Sequence, residues 1–424
     1  MKIAIATAVY YPQINGVAVF SHNLAVGLAA RGHKVIVICP SQTGKSYTKV
    51  QDGVEIHYLK SVDAKVYPDQ IHTVPKKKQI GRVKIPQVFY EHGLRVSVFP
   101  QGEIRRILDG FKPEVVHVQV SDPIGLSVVS YARRHGIPVV TTEHNQPEVL
   151  TDSLKMPRTV KKGVNLVLSA YFRNRQNKSD FVTMPTEQAI RKLLKDSRRD
   201  LGVPVAAVSN GVDLSCFKPG KAPAEIYRKY EIARGRPVVL YVGRLDPEKQ
   251  VGLVIKAFKE ARTELTKTGV EPLLVIAGDG TDKARLEGLT LKLGLDESVV
   301  FLGKVLAPDL YEIYKTGWLF ATASPIETQG IVLIEAAACG MPLIAVDKGA
   351  VSEVCQDGVN GVLCAAGDVT AIANAMVNII LDKKTREKFS QASLKIASEH
   401  DFEKTLDRFI NIYNKVIKDS SKLS

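Results

Sequence analysis

Residues 237–249 read Pro-Val-Val-Leu-Tyr-Val-Gly-Arg-Leu-Asp-Pro-Glu-Lys, and residues 251–265 continue as Val-Gly-Leu-Val-Ile-Lys-Ala-Phe-Lys-Glu-Ala-Arg-Thr-Glu-Leu. An unbroken apolar run that stops at a glycine predicts a strand buried on both faces, and the apolar residues that follow at three- and four-residue spacing predict a helix. The same alternation runs along the chain. Lys2–Ala6, Val35–Cys39, Val115–Val118, Pro138–Thr142 and Asp180–Met184 read as strands in the first half, and Pro237–Val242, Leu273–Ala277, Val299–Leu302, Trp318–Thr322 and Pro342–Val346 in the second. Helical stretches such as Ile331–Cys339 lie between them. Strands alternating with helices imply parallel sheets covered on both faces, so the expected class is α/β with Rossmann-like, doubly wound domains.

At 424 residues the chain exceeds the roughly 250–300 at which one core stops growing, so two domains are expected. Pro204, Asn210-Gly211, Pro219-Gly220 and Pro223 punctuate the gap between the two strand series. The division expected is 1–205, 206–399 and a final segment 400–424. In that segment Phe402, Leu406, Phe409, Ile410, Tyr413 and Ile417 form one apolar helical stripe that packs back toward the N-terminal domain, and the polar tail Lys418–Ser424 frays.

Composition narrows the class of function. Five scattered cysteines without a CxxC pair or nearby histidines argue against a disulfide framework and a zinc site, and fit a reducing cytoplasm. The apolar start, Ile3 to Val9, is short and lacks a cleavage site, so it reads as a first strand, and no apolar stretch reaches the roughly 20 residues that span a bilayer. A formal charge of +14 calls for an anionic partner. Nucleic acid is disfavoured, because the basic clusters carry no recognition motif and no array of stacking aromatics. Those clusters lie mainly in the first half: Lys76-Lys77-Lys78, Arg82, Lys84, Arg95, Arg105-Arg106, then Lys155 to Lys178, then Arg191 to Arg199. Val164, Leu166, Val167, Leu168, Tyr171 and Phe172 interleave with them, as an interfacial segment on an anionic membrane surface requires.

Three pieces of the second half make an anion-and-sugar site. Gly243 ends a strand, and Arg244 and Lys249 follow it: a guanidinium fork and a point charge suited to a diphosphate without a metal. Ser324 to Glu335 holds two glutamates, Glu327 and Glu335, with Gly330 at the start of an apolar helix between them. The helix N-terminus faces an anion, Glu327 can accept from sugar hydroxyls, and Glu335 can accept from ribose hydroxyls. Gly278-Asp279-Gly280 and Phe301-Leu302-Gly303-Lys304-Val305 put glycines after strands, where backbone can approach a base or ribose. The third glycine and the distant acid of a dinucleotide fingerprint are missing, which removes the dehydrogenase reading.

In order, Asn210-Gly211-Val212-Asp213, Gly243-Arg244 with Lys249, Gly278-Asp279-Gly280, Phe301-Leu302-Gly303, Glu327 with Glu335, and Gly340-x-Pro342 resemble the donor half of retaining GT-B glycosyltransferases of family 4. The resemblance implies a two-Rossmann-domain enzyme that moves a sugar from a nucleotide diphosphate-sugar across a central cleft. It implies diphosphate contacts from Arg244 and Lys249, donor-sugar hydroxyls on Glu327, ribose on Glu335, and main-chain donor contacts from Gly330, Ile331 and Val332. It implies no metal and no bound cofactor, the nucleotide-sugar being a co-substrate. Gln329 stands where many members carry phenylalanine, and the Glu-Thr-Gln-Gly form resembles members that act on glycerolipids. That points to glucose from UDP-glucose, a diacylglycerol-type acceptor and a peripheral position on the inner membrane face. The alternatives are mannose from GDP-mannose, a soluble sugar or sugar-phosphate acceptor, or an epimerase of the same architecture.

In the first half, Asn15-Gly16 opens a helix after the first strand, where the family places a glycine loop. His144, beside Asn145 after a strand, resembles the family's active-site histidine, and Asp122 is read as lining the same cleft.

Overall fold

The computed structural model describes residues 1–11, 16–63, 95–119, 122–144, 176–197, 202–327 and 329–422. The basic clusters at Lys76–Lys84 and Lys155–Arg175, together with Asn15 and Asn145, lie outside the described residues. The chain divides into one unit made of Met1–Val208 and Leu406–Ser424 and a second made of Ser209–Thr405. The crossings fall at 208/209 and 405/406, whereas the expected division is at 205/206 and 399/400.

The first unit is built on an eight-stranded sheet ordered β10-β9-β8-β7-β1-β2-β4-β3. Its strands are β1 Lys2–Ala6, β2 Lys34–Pro40, β3 Tyr47–Gln51, β4 Val54–Leu59, β7 Val115–Val118, β8 Val139–Thr142, β9 Phe181–Met184 and β10 Val205–Ala207, while β5 Val62–Asp63 and β6 Arg95–Val96 pair separately. Every ladder in the large sheet is parallel except β3 on β4. Strand order runs outward from β1 in one direction through β2 and from β7 in the other, so the topological switch lies between β1 and β7.

On one sheet face, Ala4, Ala6, Ile36, Ile38, Val116 and Val118 pack under Ile104 and Leu108 of the helix Gln101–Phe111 and Ile124, Val128 and Ala132 of the helix Pro123–Arg134. The helix Phe402–Ser421 adds Phe409, its ring centroid 5.9 Å from that of Phe20, and Tyr413. The Tyr413 hydroxyl bonds His117 Nδ1 at 2.7 Å, His117 Nε2 bonds Thr142 Oγ1 at 2.7 Å, and Thr142 in turn bonds Thr183 Oγ1 at 2.6 Å. A buried polar chain of this kind stays buried because each member is satisfied. The fraying expected of Lys418–Ser424 gives way to helix as far as Ser421, where the Ser420 hydroxyl donates to Gly136 O at 3.2 Å.

The second unit has a six-stranded, wholly parallel sheet ordered β13-β12-β11-β14-β15-β16, from β11 Val238–Val242, β12 Leu273–Ala277, β13 Val299–Gly303, β14 Leu319–Ala321, β15 Leu343–Val346 and β16 Gly361–Cys364. Counted in sequence this is 3-2-1-4-5-6, with its switch between β11 and β14. Alternate residues of β11 feed two cores. Val239 and Tyr241 join Val254, Phe258 and Met376, while Val238, Leu240 and Val242 join Ile313, Tyr314 and Leu333.

Among the described residues no helix is long and apolar enough to cross a membrane.

Tyr413→Phe keeps the packed ring but leaves the buried His117 Nδ1 only its longer contact with Gln119 Nε2, at 3.3 Å. Chemical denaturation is expected to show a loss of about 1–3 kcal/mol; an unchanged midpoint would show that the bond contributes nothing net.

Candidate functional site

The site is assembled at the carboxyl ends of β11 and β14, either side of the switch. After β11 the chain cannot wander, because the loops after β11 and β12 lie backbone against backbone. Gly243 N donates to Ala277 O at 3.0 Å, Leu245 N to Asp279 O at 2.9 Å and Asp282 N to Leu245 O at 2.7 Å. A Cβ at Gly278 would lie 1.8 Å from Gly243 O, and one at Gly280 2.4 Å from Leu245 O. On the side where a Cβ would stand, the space beside these two glycines is filled by the protein's own backbone. Gly303 donates no such space to the loops, but its carbonyl accepts from Gly278 N at 2.8 Å.

That doubled loop aims Arg244 and Lys249. Asp246, 3% exposed, accepts from Thr281 N at 3.0 Å and Thr281 Oγ1 at 2.9 Å, and also holds Arg244 Nη1. Arg244 Nη2 donates to Glu248 Oε1 at 2.8 Å, and Tyr241 hydroxyl donates to Arg244 O at 2.9 Å. The Arg244 side chain remains 56% exposed. Lys249 ends a single turn, Pro247–Lys249, and its Nζ reaches across the switch to Glu327 Oε1 at 2.7 Å, with both side chains under 20% exposed (18% and 15%).

Glu327 belongs to the loop after β14. Its carbonyl sits 2.8 Å from where a Cβ at Gly349 would be, in a residue with φ +61°, so glycine is needed there. Gly330, φ +73°, is the N-cap of the helix Ile331–Ala338, whose first turn carries Ile331 and Val332 with amides that have no acceptor inside the helix. The buried Gln329 anchors the loop: its Oε1 accepts from Asn210 N at 3.2 Å and its Nε2 donates to Ser209 Oγ at 2.6 Å.

Glu335, one turn into that helix, accepts from the hydroxyl of fully buried Tyr314 at 2.5 Å on Oε2. Burial pushes its carboxyl up to about 7, while the Tyr314 hydrogen bond pulls the other way. The sign follows: the folded chain keeps a proton that the unfolded chain has lost by pH 5, so ionising Glu335 works against folding as pH rises through about 7. Of the remaining donor-side candidates, Lys304 is exposed after β13, whereas Val305 is buried in the core, which limits it to main-chain contacts.

In the first unit, His144 follows β8 and is 7% exposed. Its Nε2–H donates to Gln119 Oε1 at 2.8 Å, and Phe20 stands edge-on at 5.2 Å. Burial pulls the imidazole down to about 4, so it is neutral at physiological pH. Asp122 is the N-cap of the helix Pro123–Arg134, its Oδ1 accepting from Gly125 N at 2.8 Å. Gly16 begins the helix Gly16–Ala30 with open space around its Cβ direction. Reading residues alone missed Asp246, Thr281, Gln119 and Tyr314. Asp246 alone had a signal, a carboxylate two positions after an arginine in a strand-to-helix loop.

An arginine, a lysine, a helix N-terminus and two carboxylates are groups of the kind that can hold a polyphosphate with hydroxyl-bearing substituents. The family model described as glycosyltransferase family 4 matches residues 14–215, and that described as glycosyl transferases group 1 matches residues 224–395. A GDP-mannose-dependent alpha-mannosyltransferase of Mycobacterium tuberculosis is 29% identical over 87% of this chain and 85% of its own. An alpha-monoglucosyldiacylglycerol synthase of Streptococcus pneumoniae is 25% identical over 86% of this chain and 75% of its own. Among solved structures, the sucrose-phosphate synthase of Thermosynechococcus elongatus superposes with a TM-score of 0.73 at 19% identity, covering 99% of each chain.

Gly278→Ala drives a methyl group into the Gly243 carbonyl. A loss of about 1–3 kcal/mol is expected by chemical denaturation, and wild-type stability would show that the loop contact yields freely.

Proposed function

We propose a specific reaction for this chain, which belongs to the group 1, family 4 glycosyltransferases and is a nucleotide-sugar-dependent enzyme of the GT-B fold. The reaction is retaining transfer of a hexose, glucose from UDP-glucose, to a hydroxyl of a membrane glycerolipid of the diacylglycerol type. The observation that supports the donor half is the Lys249–Glu327 pair across the β11/β14 switch, with Arg244 on the loop that carries Lys249, and Gly330 capping the helix that follows Glu327 and carries Glu335.

In this reading the diphosphate takes Lys249 from Glu327 and recruits Arg244, and Glu327, released, accepts from the hydroxyls of the sugar. The bond from the anomeric carbon to the phosphate oxygen breaks, the bond to the acceptor oxygen forms on the same face, and the acceptor proton passes to the departing phosphate. No protein nucleophile is used. Two cations and a helix dipole neutralise the leaving group without a metal, an electrostatic contribution of the kind that dominates where charge develops. Neutral His144 holds the sugar by hydrogen bonding, its imidazole being too weakly basic to take up the proton at pH 7.

The glycerolipid acceptor is supported by the pneumococcal relative, whose name describes a glucosyldiacylglycerol product, and by the basic excess of the chain. Gln329 adds family likeness only, since both ends of its amide are used inside the protein. A second reading, mannose from GDP-mannose, is favoured by the mycobacterial relative. Peripheral attachment to the cytoplasmic face of the membrane follows from the lipid acceptor.

Lys249→Ala and Glu327→Ala are each expected to lower kcat/KM at least about 100-fold with the melting temperature kept. The assay offers radiolabelled UDP-glucose and GDP-mannose to diacylglycerol in anionic vesicles and to soluble sugars, with and without EDTA. Full activity in either variant would refute the donor site, transfer only to soluble sugars would refute the lipid acceptor, and loss of activity in EDTA would refute metal independence.

A further inference from the structure

Tyr314 sits outside every motif, yet its hydroxyl meets the carboxylate that the donor site needs. It ends the short helix Asp309–Tyr314, is wholly buried, and is wedged between Phe217, edge-on at 5.3 Å, and Phe320, stacked at 6.4 Å. Those two rings and the surrounding core place the phenol oxygen, and its O–H turns to the nearest acceptor. That O–H donates to Glu335 Oε2 at 2.5 Å. Of the two Glu335 oxygens one is thus occupied from inside the protein, and the carboxylate plane is held with Oε1 left for a ligand.

We propose that Tyr314 is a positioning residue for nucleotide recognition: it fixes the Glu335 carboxylate in the orientation and the ionised form that accept hydrogen bonds from a ribose. The inference rests on the donor-site reading above, in which Glu335 holds the ribose. The physics is that of a hydrogen bond to the charged form. A phenol donating to a carboxylate favours ionisation, whereas burial of Glu335 opposes it. The titratable groups facing Glu335 are Tyr314 and Tyr311 from the neighbouring helix and Cys339 one turn along its own, with Lys315 and Glu312 beyond Cys339. All three that face it are neutral near pH 7, burial holding each above its ordinary value. Among the described residues, Tyr314 is the side chain that gives it a hydrogen bond.

The test is calorimetric titration of the full chain with UDP and GDP, each beside its 2′,3′-dideoxy counterpart, from pH 6 to pH 9.5. The ratio of affinities for a nucleotide and its dideoxy form reports the ribose contact alone, since both ligands carry the same titrating phosphates. In the wild type that ratio is expected to grow about ten-fold between pH 6 and pH 8 as Glu335 ionises. In Tyr314→Phe, which removes one hydroxyl and keeps the packed ring, the rise is expected to shift upward by about one pH unit, leaving binding several-fold weaker at pH 7 and restored at pH 9.5. A deficit equal at every pH would mean that the Tyr314 hydroxyl does not hold Glu335 in its ionised form, and a curve matching the wild type would mean that it does nothing for Glu335; either overturns the proposal. Glu335→Gln separates the premise from the inference. If that variant keeps a pH-dependent preference for the ribose form, Glu335 is not the ribose acceptor, and the donor-site reading fails with the inference.

Discussion

At the ends of β11 and β12 the carbonyl of Gly243 occupies the place that a side chain at position 278 would need. Two successive strands of a parallel sheet can then finish with their loops pressed together, main chain to main chain, and three hydrogen bonds hold them there. The arrangement turns two loops, ordinarily the most mobile parts of such a fold, into one stiff ledge. From that ledge Asp246 and Thr281, one from each loop, orient Arg244, and the turn that follows delivers Lys249. A site built for a flexible, highly charged donor depends on such stiffness, because each cation that must be ordered on binding subtracts from affinity.

The ledge also settles how charge is stored when no ligand is bound. Arg244 shares Asp246 and Glu248 and remains open to water, so its pairing is screened and weak. Lys249 and Glu327 are mostly shielded from solvent and face each other across the switch, so their attraction is stronger, and in the proposed reaction each stands in for the other's partner in the donor. The two cations therefore differ in what they give up, although the sequence shows both simply as basic residues of one loop.

Much of this was legible beforehand. Lys2–Ala6, Val115–Val118 and Leu273–Ala277 coincide with strands because a strand buried on both faces shows a nearly continuous apolar run, broken here only by Lys2 and His117. The hairpin of Tyr47–Gln51 and Val54–Leu59 escaped notice because its outer strand is exposed on nearly every residue and carries no apolar pattern. β16 begins on Gly361, whose Cβ would strike Leu343 O at 2.0 Å; a contact between strands distant in sequence leaves no periodicity to read. The same holds at the site. Arg244, Lys249, Glu327 and Glu335 lie in recognisable order, but the partners that orient them come from other elements, Thr281 from the β12 loop and Tyr314 from a separate helix, and only the fold joins them.

The division of the chain has a consequence for synthesis. The unit holding Met1–Val208 is finished by Leu406–Ser424, which contribute Phe409 and Tyr413 to its interior. Its sheet can pair as it leaves the ribosome, yet Phe20 and His117 wait for partners until the last residues are made. The second unit, Ser209–Thr405, is continuous and lacks nothing once its own residues have emerged. The half translated first is thus the half completed last, and a nascent chain halted before residue 406 would present an open core to chaperones rather than a finished domain.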